Sequence, residues 1–322
     1  MLPIAPLRIV RLLIELRTES PLLLPLEQRG NALRGAFGRI FQRQVCEPDC
    51  PGTATCSRRE ECPYAQLFEP RWPDGARHPA EAAPRGFLFR PPLGRDPEFG
   101  PKRPLRFELR LFGRAIESTE YFLRTFRLFA HHGLADQPVG LCSAETLDWA
   151  GASRGALVQD GCFTNLLPHV LGFEPLAGAS PPCTAVLRFV TPVCLKHERR
   201  ELRVPTLVGL ATRVYSRLRD LSRFYEGHEW QLDFSAVNAW ASVTRMLDWD
   251  GRWVEWGRTS TRTGQTMPMS GYLGTVAYSG ISPELWSLLR VGQEIHAGSH
   301  TVWGHGWYSL QPEENCTARK SL

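Results

Sequence analysis

The chain has 322 residues, with 38 basic against 33 acidic side chains and a formal charge of +5. That length suggests two compact domains of roughly 150 residues each, and so small a net charge does not by itself announce nucleic acid. With 43% hydrophobic residues and 10 tryptophans the chain can bury a substantial core, which excludes wholesale disorder.

The first predicted element is a strand over residues 7–16, where Arg8, Val10, Leu12 and Ile14 alternate with Ile9, Arg11, Leu13 and Glu15. Pro25 opens a helix with Leu33, Phe37, Ile40 and Phe41 on one side, while Arg29, Arg34, Arg39 and Arg43 lie mostly off that stripe. A cysteine-rich stretch, 46–62, leads into a segment with nine prolines between Pro70 and Pro104, which has room only for a short strand around 86–90. A strand over 105–112, a helix over 117–129 with Phe122, Phe126 and Phe129 inward, and a strand over 139–149 complete the order β-α-β-β-α-β.

The same order recurs after a connector rich in Gly, Pro and Ala at 176–182. A strand is expected over 184–195, then a helix begun by Pro205 whose Leu207, Leu210, Val214, Leu218 and Leu221 follow a 3.6-residue period. Strand-like stretches follow at 230–246, 251–259 and 272–279. Ser282 caps a short helix, and 303–310 closes the set. The expected fold class is α+β, two tandem ferredoxin-like (βαββαβ) domains with a Cys-rich insertion in the first. The first domain covers 1–175, with the Cys-rich loop 46–62 and the Pro-rich segment 70–104. The second covers 183–322 and ends in a glycine-rich loop at 292–308.

The apolar run from Leu2 to Leu24 is broken by Arg8, Arg11, Glu15 and Arg17, so it is neither a signal-peptide core nor a membrane span. Nine cysteines without an export signal fit a reducing compartment, and a soluble cytoplasmic protein is expected. Cys46, Cys50, Cys56 and Cys62 are spaced C-x3-C-x5-C-x5-C. Four thiolates so close suit a structural zinc, whose closed tetrahedron leaves no position for chemistry; clustered unliganded thiols are the alternative. No catalytic metal is expected. Of the 38 basic residues only Lys102, Lys196 and Lys320 are lysine. Arginine's planar fork suits phosphate contacts, although a GC-rich genome explains the same bias.

Four stretches resemble the CRISPR-associated precursor-RNA processing endoribonucleases of the RAMP superfamily. They are Leu33-Arg-Gly-Ala-Phe-Gly38 running into Cys46 and on to 62–68, Leu187-Arg-Phe-Val-Thr-Pro192, the glycine strand 269–280, and the terminal loop from Gly292 through Tyr308. The resemblance implies a metal-independent endoribonuclease that cuts a CRISPR repeat at a specific sequence or hairpin. The 2′-hydroxyl attacks the adjacent phosphate, and the cut strand ends in a 2′,3′-cyclic phosphate. Such chemistry needs an acid, a base and cations around the phosphate, and histidine is the natural proton carrier near neutrality.

The family usually places a catalytic histidine near the first helix, yet 29–46 contains none. The candidates in its stead are His131 and His132 at the end of the second helix and His300 and His305 in the terminal loop, with Arg34 and Arg39 as cations facing the phosphate. A pair of helix-terminal histidines complementing the helix dipole, and solvated loop imidazoles, are the plainer readings. RNA contacts are expected from Arg29, Arg43, Arg258, Arg262, Gly298, Ser299, Gly304 and Gly306, the glycines letting backbone N–H groups approach an anion. Trp303 and Trp307 are candidate base-stacking residues, whereas Arg213, Arg217, Arg219 and Arg223 read as a solvated helix face. The expected partners are CRISPR repeat or precursor RNA and a CRISPR effector complex, with no membrane. A non-catalytic CRISPR RNA-binding subunit is the rival reading, and a protein-interaction module the third.

Overall fold

The computed structural model describes residues 7–73, 83–197, 200–230, 232–259 and 266–313. The chain divides into two compact units, one of Pro6–Gly172 with Asp220–His228, the other of Met1–Ala5, Phe173–Arg219 and Glu229–Leu322. No described helix is long and apolar enough to cross a membrane.

The first unit contains β1 (Ile9–Arg17), α1 (Arg29–Val45), α2 (Pro63–Phe68), β2 (Phe87–Arg90), β3 (Leu105–Phe112), α3 (Thr119–Arg127), β4 (Gly140–Leu147), β5 (Ser153–Gln159) and β6 (Cys162–Phe163). Its sheet has the order β2-β3-β1-β4-β5-β6, antiparallel throughout. The first four strands in this order are the ferredoxin-like arrangement expected from the sequence. Alternation places Val10, Leu12, Ile14 and Leu16 of β1 in the core. The core is built of phenylalanine. Phe37 of α1 lies 4.9 Å from both Phe122 and Phe126, 5.5 Å from Phe89 and 6.0 Å from Phe68, ring centre to ring centre. A periodic stripe of large flat side chains thus pins α1 to α2, α3 and the sheet at once.

The opposite face of this sheet carries charge in register. Glu108 of β3 is 3.0 Å from Arg110, 3.4 Å from Arg11 and 4.0 Å from Arg90. Burial pushes the Glu108 carboxyl up, but Arg110, Arg90 and Arg11 outweigh it and hold it at about 2. Further along β1, Glu15 likewise binds Arg17 at 2.8 Å and Arg106 at 2.6 Å.

The second unit contains β7 (Thr184–Val193), most of α4 (Leu207–Glu226), α5 (Phe234–Ser242), β8 (Arg245–Val254), β9 (Gly271–Ser279), α6 (Pro283–Ile295) and β10 (Tyr308–Glu313). Its sheet order, β8-β9-β7-β10, again antiparallel, repeats the ferredoxin-like pattern. Every residue of the expected α4 stripe is buried, and α6 is capped by Ser282, whose hydroxyl accepts from the Leu285 amide.

Four details differ from the sequence reading. Residues 234–242 form α5 instead of a strand, because the Asp233 side chain accepts from the Ser235 amide at 3.0 Å and nucleates a turn. β8 runs unbroken through Gly251, which sits opposite Gly274 in the ladder. The last strand starts at Tyr308, after a 3-10 turn at Thr301–Trp303. β5 and β6 were not expected at all; the turn between them is Asp160-Gly161, with φ of 49° and 75°. Asp-Gly is a hairpin signal because both residues tolerate positive φ.

Candidate functional site

The terminal glycine loop begins where α6 ends. His296 takes a left-handed φ of 63° and is fully buried. Its Nδ1 donates to the His305 carbonyl at 3.1 Å, and its ring stacks on Trp307 at 6.0 Å with 10° between planes. The loop is then stitched to the end of β7. The Gly306 amide donates to the Pro192 carbonyl at 2.9 Å, the Ser299 amide to Cys194 at 3.1 Å, and the Ala297 amide to the Gly306 carbonyl at 3.1 Å. Thr191 serves both strands, its hydroxyl donating to the Gly304 carbonyl at 2.8 Å and accepting from the Trp307 amide at 2.9 Å.

Close packing explains the glycines. At Gly306, φ is +70° and a Cβ would overlap the Ala297 carbonyl; at Gly298, φ is +80° and a Cβ would overlap the Cys194 carbonyl. The Gly304 and Gly306 amides, expected to meet an anion, instead donate to the Thr301 and Pro192 carbonyls. These two glycines therefore build a rigid loop and do not offer their N–H groups to a phosphate. Gly298 and Ser299 are partly exposed beside them.

The two histidines of this loop differ sharply. His305 is buried, with its ring edge-on to Trp256 at 5.6 Å. Burial, reinforced by neighbouring His300, pushes its imidazole down to about 3. It stays neutral across the physiological range and is a weak base. His300 is half-buried on a left-handed turn of φ 62°, 6.0 Å from His305 and 5.8 Å from Trp303, ring to ring. Trp303 and Trp307 are both half-buried.

The remaining expected residues are scattered. His131 and His132, both exposed, end a helical turn at Phe129–His132 in the first unit, capped by Gly133 with φ 74°. That position suits a cation at a helix C-terminus. On α1, Arg39 and Arg43 are exposed, and Arg34 lies over the Phe68 ring at 5.0 Å. Arg29 is a correction. It is fully buried, with Nε on the Leu24 carbonyl and its terminal nitrogens on those of Pro92, Gly94 and Asp96 at 2.5 to 2.9 Å. Its guanidinium is spent on four backbone carbonyls inside the unit, which leaves it no exposed edge for RNA. Arg258 lies in the two-strand ladder opposite Met267, and Arg262 falls outside the described residues.

All four candidate zinc ligands, Cys46, Cys50, Cys56 and Cys62, are partly buried free thiols. Burial together with neighbouring Cys62 and Cys50 pushes the Cys46 thiol up to about 12. Among the described residues no three His, Cys, Asp or Glu side chains are arranged around a common metal centre.

Sequence comparison places this loop in context. Residues 187–308, from β7 to the first residue of β10, match the family model of the CRISPR-associated endoribonuclease Cas6. Over that segment the chain is similar to the Cas6 endoribonucleases. This bears out the resemblance to CRISPR-associated RAMP-type endoribonucleases drawn from the four sequence stretches. A second family model, described as an N-terminal domain, matches residues 7–155. Thermus thermophilus Cas6 is similar in fold, with TM-score 0.53 and 15% identity over 95% of this chain and 100% of that one. A Cas6 product complex gives TM-score 0.56 and 17% identity over 94% and 100%. A partial Cas6-RT-Cas1–Cas2 complex gives 0.58 and 13%, this chain spanning 97% of its own length but only 47% of that longer chain. At such identities the likeness is one of fold. No curated protein matches the chain.

Sequence reasoning missed two features of the site. His296 carries no motif that marks it as part of the site; the glycines that follow let the chain fold back over it. Thr191 carries no chemical motif, and its double hydrogen bond depends on a register visible only in three dimensions.

Proposed function

We propose that this chain matures CRISPR precursor RNA by one metal-independent cut at a specific sequence or hairpin of the repeat. The 2′-oxygen forms a bond to the adjacent phosphorus as the bond to the 5′-oxygen breaks. The products are a 2′,3′-cyclic phosphate and a 5′-hydroxyl. One proton leaves the 2′-hydroxyl and one reaches the departing oxygen. The observation that supports this reading is the Cas6-matched segment 187–308 ending in a stitched loop that holds His300 half-exposed. His305 is too acidic as an imidazolium to take the 2′-hydroxyl proton near neutrality. The proton work therefore falls to His300, with Gly298 and Ser299 beside it for the RNA backbone. Arg39 and Arg43, exposed on α1, and Arg258 and Arg262 supply further phosphate contacts; Arg34, stacked on Phe68, supports the helix that carries the first two. The protein keeps its product and passes it to a CRISPR effector complex.

Incubation with cognate repeat RNA in EDTA, beside a strand carrying 2′-deoxy at the cut site, tests the reaction. Cutting of the first strand alone is expected. His300→Ala is expected to slow single-turnover cutting by roughly 10²-fold, in the range that loss of general acid–base catalysis costs. An unchanged rate in that variant, with His131→Ala or His132→Ala slowed instead, would move the catalytic group to the first unit. The absence of histidine from α1 favours a second reading, a non-catalytic CRISPR RNA-binding subunit. Tight binding of both strands with no cutting would establish it.

For Cys46, Cys50, Cys56 and Cys62 we propose a structural zinc, on the strength of their spacing and of the approach of Cys50 and Cys62 to Cys46. Protein purified without added metal should hold one zinc per chain, and Cys62→Ser should lose it. Metal-free protein with unchanged thermal stability would remove the proposal.

A further inference from the structure

Away from the glycine loop, the first unit encloses a cavity of about 970 Å³ between α2, the Pro70–Pro73 segment, the turn before α3 and the last turn of α4. This lies at the upper end of the ~300–1,000 Å³ range usual for ligand sites. Its wall is a stack of alternating rings and guanidinium groups. Arg114 lies over Phe224 at 4.9 Å and over Tyr225 at 5.7 Å. Trp72 meets Phe224 edge-on at 5.1 Å, and Arg223 lies 5.7 Å from the Trp72 ring. The assembly is held from behind by the Tyr225 hydroxyl, which donates to the Pro84 carbonyl at 3.0 Å.

Arg114 is exposed although its flat face rests on two rings. A guanidinium so placed spends its face on the aromatic and keeps its N–H edge, which is the edge that binds phosphate. Arg71 and Tyr121 face the same space and are exposed as well. Glu60 and Glu117 also line it, offsetting two of the three lining arginines (Arg59, Arg71 and Arg114), so the cavity is only weakly basic. A bare polyanion gains little from such a site. A ligand with both flat rings and phosphates gains from stacking and from the arginine edges together.

We propose that this cavity binds a single-stranded segment of RNA flanking the cut hairpin, through base stacking on the ring shelf and phosphate contacts from Arg114 and Arg71. The proposal rests on the RNA-processing reading above and adds to it a second place where the substrate is held. The chemistry recognised is that of a nucleotide, so a free mononucleotide is the other possible source, and the strand is favoured because Trp72, Phe224, Tyr121 and the arginines Arg71 and Arg114 spread along a space larger than one nucleotide needs.

The test compares full-length protein with Arg114→Gln and Trp72→Ala against three probes. These are repeat RNA with its single-stranded flank, the hairpin alone, and AMP. Arg114→Gln, an exposed change that leaves the core intact, should weaken binding of the flanked RNA about tenfold more than binding of the hairpin. It should also lower the salt slope of flanked-RNA binding by about one. Trp72→Ala should act in the same direction with no change in salt slope. Equal weakening of both RNAs, or none, would overturn the site, and AMP bound as tightly as the flanked strand would overturn the strand assignment. Wild-type protein that binds neither RNA refutes the RNA-processing reading itself, an outcome distinct from failure of the site.

Discussion

The two units share one strand order, β-α-β-β-α-β with the third strand between the first and second, yet they bury opposite kinds of chemistry. The first hides charge. Glu108 sits amid Arg11, Arg90 and Arg110 on one face of its sheet, while phenylalanines fill the other. The second hides imidazoles. His296 and His305 are buried in a loop wound so tightly that glycine backbone replaces side chains. A common topology thus sets where strands lie and leaves the sheet faces and the loop before the final strand free to diverge. The Cas6 match falls on the unit whose final loop is rigid.

Breaking each unit at its own centre should sharpen that contrast. The largest effect is expected from Phe37→Ala. It removes the ring that touches five others and should cost about 3–5 kcal/mol in chemical denaturation, with the second unit's loop unaffected. Glu108→Gln follows. Leaving three buried guanidinium groups without their carboxylate should cost about 3 kcal/mol at pH 7. Because the folded carboxyl is held at about 2, its stabilisation is fully present above the ordinary carboxylate range and is lost as pH falls through 2. The variant should therefore show a flatter acid limb between those limits.

The second unit should respond to pH in a different window. His305 is neutral when folded and titrates at about 3, so the unfolded chain binds the extra proton as pH falls below the usual histidine range. Stability should drop by at most about 1.4 kcal/mol per pH unit between roughly 6.5 and 3. His305→Phe should remove that slope while leaving the Glu108 limb in place, and a slope equal to that of wild type would contradict the assignment. The smallest effect is expected at Asp233→Ala, where losing the cap of α5 should cost about 1 kcal/mol in thermal unfolding.

Much of this arrangement was legible before any coordinates. The α4 stripe and the β1 alternation report one-dimensional periodicities, and periodicity survives folding because backbone geometry imposes it. Boundaries were less legible. Residues 230–246, which include aromatic and β-branched side chains, read as a strand; the local hydrogen bond that Asp233 accepts from the Ser235 amide decided for a helix over 234–242. Arg29 looked like its neighbours on α1. Only the return of the Pro-rich segment over it brings the Pro92, Gly94 and Asp96 carbonyls to its donors, beside that of Leu24.

The sequence by itself determined the α+β class, the doubled element order, the resemblance of the terminal glycine loop to an RNA-cutting family and the cysteine spacing. All of these are patterns between residues near one another along the chain. Tertiary structure alone decided which glycines serve packing, that His305 is neutral while His300 meets solvent, and that Trp72, Arg114, Phe224 and Tyr225 share one cavity. The physical reason is common to all three. Burial, proton affinity and stacking depend on what arrives from distant parts of the chain, and no local pattern carries that information.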